Sequence, residues 1–536
     1  MELDNETYLR LEKIVGARNI SADPVITVNY AYSFGSEILC DKFGLPRSHF
    51  AYAPIAVILP GSTGEVQEVV KAIHEVGLKF KAQSTGLGPW NNVSGEDSVI
   101  IDLRRMDKIR KIDAKNMYAV IEPYVLGSTL QAELLKFDLN THMPGAGPQV
   151  SPLASSTSMF GPGFTSDATG YSERNVLGVE WVLPDGDLVK LGTLGLKNEP
   201  EWYCGDGPGF SLRGVMRGAS GAKGGLGVFT ACAVKCYPYP CEPKWKITGV
   251  SPEYEFEMPK FMQFHIINYR NFDDLKEALY QFSQEEIGFM VNYSSGLALA
   301  AIFSRDRGDL IKTAGKYGLL KKPICLLITA RTQREFEYKE KVVNTIVEVT
   351  NGKDFTKKET LVPRSQCYVE ALRSMLGLHA FLASGAFTSA FGGMDSIGVT
   401  ITMAELNVPV KMEYVNKKLL ANDGGEGIWL QTYEYGHYAH AEMPAMYDKL
   451  NPASKAAVLE YTMRTNQLIY EKALNVPFTV DGDAMHDYWG PRTCNYQVWL
   501  RKLKEAFDPD NSSDSGFYIS TESALEENKK KEQQKA

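Results

Sequence analysis

Apolar and polar positions alternate between two periods in the first half of the chain. Ile55 to Leu59 is a short apolar run that stops at Pro60-Gly61, the mark of a buried strand. Ser62 with Glu65 three residues on forms a capping box, and Val66, Val69, Val70, Ile73 and Val76 follow at i, i+3, i+4, i+7 and i+10, one apolar helix face. Gly77 is placed to supply the left-handed residue past the helix end. A second strand over 79–83 runs into Ser84-Thr85-Gly86-Leu87-Gly88-Pro89-Trp90-Asn91-Asn92, and residues 98–103 (SVIIDL) read as a buried strand.

The same grammar continues. Residues 118–123 predict a strand, followed by an apolar helix from Gly127 to about Phe137, then the turns Pro144-Gly145-Ala146-Gly147-Pro148 and Gly161-Pro162-Gly163, with Thr165 just beyond. Residues 176–183 and 187–191 predict two strands joined at Pro184-Asp185-Gly186, and Gly224-Gly225-Leu226-Gly227-Val228 enters a further strand. Glycine-rich turns thus recur beside strands.

Glycine lets the 84–92 loop turn successive backbone N–H groups toward an anion without a side-chain charge, so a pyrophosphate is its natural guest. Gly86-Leu87-Gly88 lacks the third glycine of the dinucleotide fingerprint and is followed by Pro-Trp-Asn rather than a helix, which disfavours nicotinamide binding in that mode.

These segments together resemble the FAD-linked oxidoreductases that include vanillyl-alcohol oxidase, 4-cresol dehydrogenase, glycolate and D-lactate dehydrogenases and alkylglycerone-phosphate synthase. The matching residues are Pro60, Gly61, Glu65 to Val70, the loop 84–95, residues 99–106, 119–123 and 183–186, and Gly221 to Thr230. The resemblance implies an α+β fold: a PCMH-type FAD-binding domain of two α/β subdomains, plus a cap domain with a large antiparallel sheet that forms the substrate pocket. It implies FAD as cofactor, held by Ser84, Thr85, Gly86, Leu87, Gly88, Pro89, Trp90, Asn91, Pro144, Gly145, Gly161, Gly163, Thr165, Gly221, Gly224, Gly225, Gly227 and Val228. Non-covalent binding is expected, because residues 84–95 contain no His or Cys. The chain departs from the family at Lys223 and Gly225, where acidic and hydroxyl residues are usual, and at Trp90-Asn91-Asn92, so the resemblance carries no flavin contact to those side chains.

The expected organisation is a helical N-terminal segment over 1–48, the FAD-binding domain over 49–243, a cap over 244–455 after the breaks at Pro238, Pro240 and Pro243, a segment over 456–522 returning to the first domain through Asp508-Pro509-Asp510-Asn511, and a disordered charged tail over 523–536. At 536 residues, 44% apolar and a net charge of −8, the chain has no basic stripe for nucleic acid or an anionic membrane. It has no apolar stretch of about 18 residues and no apolar leader, which predicts a cytoplasmic protein without a membrane span. Its eight cysteines form no C-x-x-C pair; Cys232, Cys236 and Cys241 lie on or just past a predicted strand, and no metal is expected.

Candidate chemistry falls in the C-terminal third. Flavin oxidation of a C–H bond beside oxygen needs a base or anion-stabiliser for the substrate hydroxyl and a clamp that orients it. His437, His440 and His486 are candidates, with Tyr435, Tyr488 and Arg492 beside them. Imidazole works near neutral pH with little tuning, and the guanidinium fork suits a phenolate or carboxylate or, equally, a bridge to Asp487. Read as one strand, 428–442 would put Tyr433, Tyr435 and His437 on one face and His440 with Tyr438 and Glu434 on the other. The expected function is hydride transfer from a small hydroxylated substrate, a 4-alkylphenol or aryl alcohol or a 2-hydroxy acid, to flavin N5. The alternatives are a transferase of the alkylglycerone-phosphate synthase type, or the flavin subunit of a complex with an iron–sulfur or cytochrome partner. A homo- or hetero-oligomer is expected.

Overall fold

The computed structural model describes residues 3–31, 52–86, 89–145, 147–159, 161–191, 221–250, 253–296, 299–300, 307–318, 320–356, 387–391, 394–424, 426–448, 450–475 and 480–535. The helix Thr63–Glu75 forms as its pattern predicts. Ser62 caps it by accepting from the Glu65 amide (3.2 Å), and the Glu65 carboxylate reaches back to the Gly61 amide (2.8 Å). Val66, Val69, Val70 and Ile73 are fully buried, each contributing roughly 1.5–3 kcal/mol of transfer free energy. Val76 departs from the expected face: the helix ends at Glu75, and Gly77 at φ +69° turns the chain away, leaving Val76 exposed.

This helix covers a four-stranded sheet in the order Ile20–Ser21, Val57–Ile58, Ser98–Asp102, Lys79–Gln83, whose last three strands are parallel. A second, antiparallel sheet follows in the order Ile109–Asp113, Tyr118–Ile121, Val228–Pro238, Val176–Val182, Leu188–Leu191, with Leu139–Thr141 paired to the long central strand. Cys232 and Cys236 lie within the apolar core of that sheet.

Residues beyond 260 build a seven-stranded antiparallel sheet in the order Lys353–Asp354, Met262–Tyr269, Lys322–Thr329, Gly288–Ser294, Trp429–Tyr433, Tyr438–Met446, Phe387–Phe391. Strand alternation splits its side chains between two cores. Ile267, Val291, Ile324 and Leu430 meet the helices Phe272–Gln284, Gln333–Val349, Ile397–Asn416 and Pro452–Glu471 on one face. Phe264, Met290, Cys325 and Leu327 point from the other face, together with Phe164 of the first half. This is the broad antiparallel sheet over the first half of the chain that the resemblance implied. The range 428–442 is not one strand. Glu434, Tyr435 and Gly436 all take positive φ (47°, 57°, 82°), so the segment folds into a hairpin, and Tyr433 and His440 come to the same face.

After the helix Tyr496–Phe507, residues 508–515 run back along the first sheet: the Phe80 amide donates to Ser512 O (3.0 Å) and the Asp514 amide to Phe80 O (2.8 Å). Fully buried Lys504 pairs with Asp508 and donates to Gly225 O (2.8 Å). The charged tail, expected as disordered, instead forms the helix Glu522–Lys535. Thr521 caps it at the Ala524 amide, and Glu526 stands four residues before Lys530, the favourable order on a helix. The N-terminal segment has the expected helix, Asn5–Val15, while residues 32–48 lie outside the described residues. No helix among the described residues is long and apolar enough to cross a membrane.

One buried switch pins the outer edge of the large sheet. His265 is sandwiched between Asp354 on Nδ1 (3.0 Å) and Glu340 on Nε2 (2.8 Å). Burial opposes the charged ring, but the two carboxylates outweigh it and raise the pKa above the ordinary value; Asp354, also opposed by burial, is lowered by His265. His265 therefore stabilises the fold fully below its unfolded pKa of about 6.5, and this is lost as pH rises through the folded value; the Asp354 contribution is lost as pH falls below about 4. His265→Asn is expected to cost about 3 kcal/mol in urea unfolding at pH 6, with the gap to wild type narrowing as the pH rises and the ring loses its charge. Lys504→Met, which strands Asp508 in the interior, is expected to cost about 3–5 kcal/mol in the same measurement.

Candidate active site

The cofactor track starts at the carboxyl end of Lys79–Gln83. Ser84, Thr85 and Gly86 (φ +72°) leave that strand half-buried, and Trp90 and Asn91 follow in a short 3-10 turn that begins at Pro89. Leu87 and Gly88 lie outside the described residues. Against this loop packs the turn of Gly221 to Gly227. Lys81 of the incoming strand donates to Lys223 O (2.5 Å), the Lys223 ammonium lies 5.4 Å from the Trp90 ring, and the Lys223 amide donates to Ser158 O (2.9 Å). Gly227 at φ +78° is obligatory, since a Cβ there would stand 2.3 Å from Val182 O. Gly224 abuts the Lys81 side chain, Gly225 O takes the Lys504 ammonium, and Val228 begins the strand.

The track continues through residues 142–165. Pro144 and Gly163 form a β-bridge, and a Cβ on Gly163 would meet Met143 O at 2.2 Å. His142, pushed down to about 4 by burial, bonds Thr169 Oγ1 (3.0 Å) and Gly161 O (2.8 Å). Thr165 is buried with its hydroxyl on Thr169. Gly145 then touches the large sheet: a Cβ there would lie 3.0 Å from the Trp429 ring, and Phe164 meets the same ring edge-on at 5.7 Å.

On that face of the sheet, three polar residues sit side by side on adjacent strands. Asn292 is register partner to Gln431, and Gln431 to His440. All three are essentially buried, and the amide nitrogen and oxygen of both Asn292 and Gln431 have no hydrogen-bond partner among the described atoms. His440 contacts Trp429 and Tyr433 edge-on and lies 3.6 Å from Glu442. Tyr433 stacks on Tyr438 at 5.1 Å, and Tyr171 closes on both edge-to-face. Burial, with Tyr438, Glu442, Tyr171 and Glu173 behind it, raises the Tyr433 phenol well above its ordinary pKa and keeps it a donor.

One carboxylate aligns the hairpin with the FAD-binding half. Asp167 accepts from Thr432 Oγ1 (2.6 Å) and Ser283 Oγ (2.9 Å), while Ser166 O and Asp167 O take the Glu434 and Tyr435 amides (3.1 and 2.7 Å). Burial raises the Asp167 carboxyl to about 6.

The six candidate side chains separate in space. His440 alone stands in the polar row; Tyr435 and His437 are exposed in the hairpin turn. His486 is buried, held to about 3 by burial and then by Lys223 and Arg501, and bonds Tyr496 (2.9 Å). Tyr488 and Arg492 lie exposed with the guanidinium 4.1 Å over the ring, and Asp487 pairs with Arg501 (2.6 Å) rather than Arg492. Asn292, Gln431, Tyr171 and Asp167 escaped the sequence reading, which placed Tyr433 on the face opposite His440. Placing a hairpin turn at Glu434 to His437, signalled by Gly436, would have put Gln431, Tyr433 and His440 on one face.

A glycine-bearing loop beside buried ammonium groups, continued by close-packed turns and ending under buried amides without partners among the described residues, is a donor set that fits FAD: pyrophosphate at one end, a flat polar ring at the other. Comparison with known proteins agrees. Residues 54–192 match the FAD binding domain model. An FAD-linked oxidoreductase of Mycobacterium tuberculosis is 27% identical over 240 residues, 44% of this chain and 46% of the relative. The 4-cresol dehydrogenase flavoprotein subunit of Pseudomonas putida is 28% identical over 168 residues, 30% of this chain and 32% of that one. The chain thus spans less than half the length of these curated relatives. The crystal structure of p-cresol methylhydroxylase with substrate bound superposes with a TM-score of 0.70 at 17% identity, over 96% of this chain and 97% of that one. The chain therefore carries an FAD binding domain over residues 54–192, with FAD as its cofactor, and shares the overall fold of p-cresol methylhydroxylase.

Proposed function

We propose that this protein is an FAD-dependent oxidoreductase whose substrate is a small, uncharged hydroxylated ring compound of the 4-alkylphenol or aryl-alcohol class. The buried row Asn292–Gln431–His440 carries this reading: four amide atoms without hydrogen-bond partners among the described residues face the FAD-binding half, and unpaired buried polar groups cost roughly 1–3 kcal/mol each unless a ligand or water meets them. Bound FAD supplies the hydride acceptor. His440 takes the proton of the substrate hydroxyl, steadied by Glu442; Gln431 and Asn292 orient that hydroxyl; Trp429, Tyr433 and Tyr171 wall the ring and exclude water. A 2-hydroxy acid needs a countercharge, and the three strands that carry the row include no Lys or Arg on this face; nearby Arg174 is engaged with the Tyr171 ring and Glu434. Electrons leave to oxygen or to an iron–sulfur or cytochrome protein.

Anaerobic titration of the purified protein is expected to bleach the flavin band with 4-alkylphenols or aryl alcohols and not with 2-hydroxy acids. Bleaching by hydroxy acids alone would overturn the substrate class, and a flavin that no alcohol bleaches would favour a transferase. His440→Asn is expected to slow bleaching about 10²- to 10⁴-fold at unchanged flavin content, and a full-rate variant removes His440 from the chemistry.

A further inference from the structure

The glycine loop over 84–95 contains no Lys or Arg, so its own side chains bring no positive charge to a dianionic pyrophosphate. The fold brings one from elsewhere. Lys223 is clamped against both stems of the loop: its carbonyl accepts from Lys81 on the incoming strand, and its ammonium lies over Trp90 on the outgoing turn. Its backbone adopts φ +47°, uncommon for a residue with a side chain, on a turn where Gly221, Gly224 and Gly227 also have positive φ. The ammonium is almost fully buried and paired with the equally buried Asp481, whose second oxygen meets Trp90 Nε1 at 3.4 Å.

Such a pair is a weak device for stability, since desolvating two ions consumes most of their mutual attraction. It suits an exchange, in which a cation stays charged in the interior until a stronger anion arrives. Asp481 brings one negative charge, and a pyrophosphate two. The Asp481 carboxylate need not be stranded, because it heads the helix Gly482–Trp489, where a negative group is favoured.

Resting on FAD as the cofactor, we propose that Lys223 is the cation that binds the FAD pyrophosphate, with Asp481 as the counter-ion it gives up.

The test compares FAD release from the holoproteins of wild type, Lys223→Met, Lys223→Arg and Asp481→Asn by dilution and ultrafiltration, with ³¹P NMR of the bound pyrophosphate as second readout. Lys223→Met is expected to weaken FAD binding about 10- to 100-fold and to shift the phosphorus resonances, whereas Lys223→Arg stays within about threefold of wild type. Asp481→Asn removes the competing anion and is expected to leave FAD binding unchanged or tighter, even as the melting temperature falls. If Lys223 only braces Asp481, the Met and Asn variants weaken FAD in parallel and the ³¹P spectrum of the Lys223→Met protein is that of wild type; either result overturns the proposal. If FAD does not release from wild type, the ³¹P comparison decides alone. Wild-type protein that folds without flavin would instead overturn the cofactor assignment itself.

Discussion

Buried lysine–aspartate couples tie the last sixty residues to the turn and strand that carry the candidate cofactor track, and two of them support it. Lys504 with Asp508 braces Gly225 O; Lys81, pushed down to about 8 by burial, is favoured by Asp514; Lys223 holds Asp481. Each lysine touches the turn of residues 221–227 or the strand that leads into the glycine loop, and each aspartate comes from the last sixty residues. Without Asp508 and Asp514, the ammonium groups of Lys504 and Lys81 would sit in the interior without a countercharge, and the track would lose its floor. The Gly227 amide on Ser513 Oγ (2.8 Å) and the Ser94 amide on Asp514 (2.7 Å) extend the same clasp with uncharged donors.

The large sheet does a different job with the same economy. Strand alternation gives one face to four helices and leaves the other face free to meet the first half of the chain. On that second face an apolar patch around Phe164 and Met290 gives way to the Asn292–Gln431–His440 row, so the boundary between core and site runs within single strands. Asp167 fixes how the hairpin bearing two of these residues sits, through Thr432 on the side of the strand opposite to Gln431. Apolar burial holds the two halves together, and a few directed hydrogen bonds set their register.

Much of the FAD-binding half was legible because it is built from local signals. The Ser62–Glu65 cap, the helix face of Val66 to Ile73, the paired strands about Pro184 to Gly186 and the turn of Gly224 to Gly227 each lie within about a dozen residues, and each formed where the pattern put it. The site on the sheet was not legible in the same way. His440 was visible as a histidine, but its neighbours depend on a turn at Glu434 to Gly436 that includes two non-glycine residues at positive φ, which propensity disfavours and which Asp167 O and Ser166 O stabilise from a segment more than 250 residues away.

The sequence by itself therefore determined the fold class, the glycine loop between two strands and the absence of a charge on that loop, since periodicity, capping and glycine placement act over short stretches. Only the tertiary structure decided which polar groups converge. It turned Tyr435 and His437 to solvent, paired Arg492 with Tyr488, brought Asn292 beside Gln431, and set Lys223 against a loop some 130 residues earlier. Those outcomes follow from strand register and from the pairing of buried charges, and both are settled by what the rest of the chain packs against them.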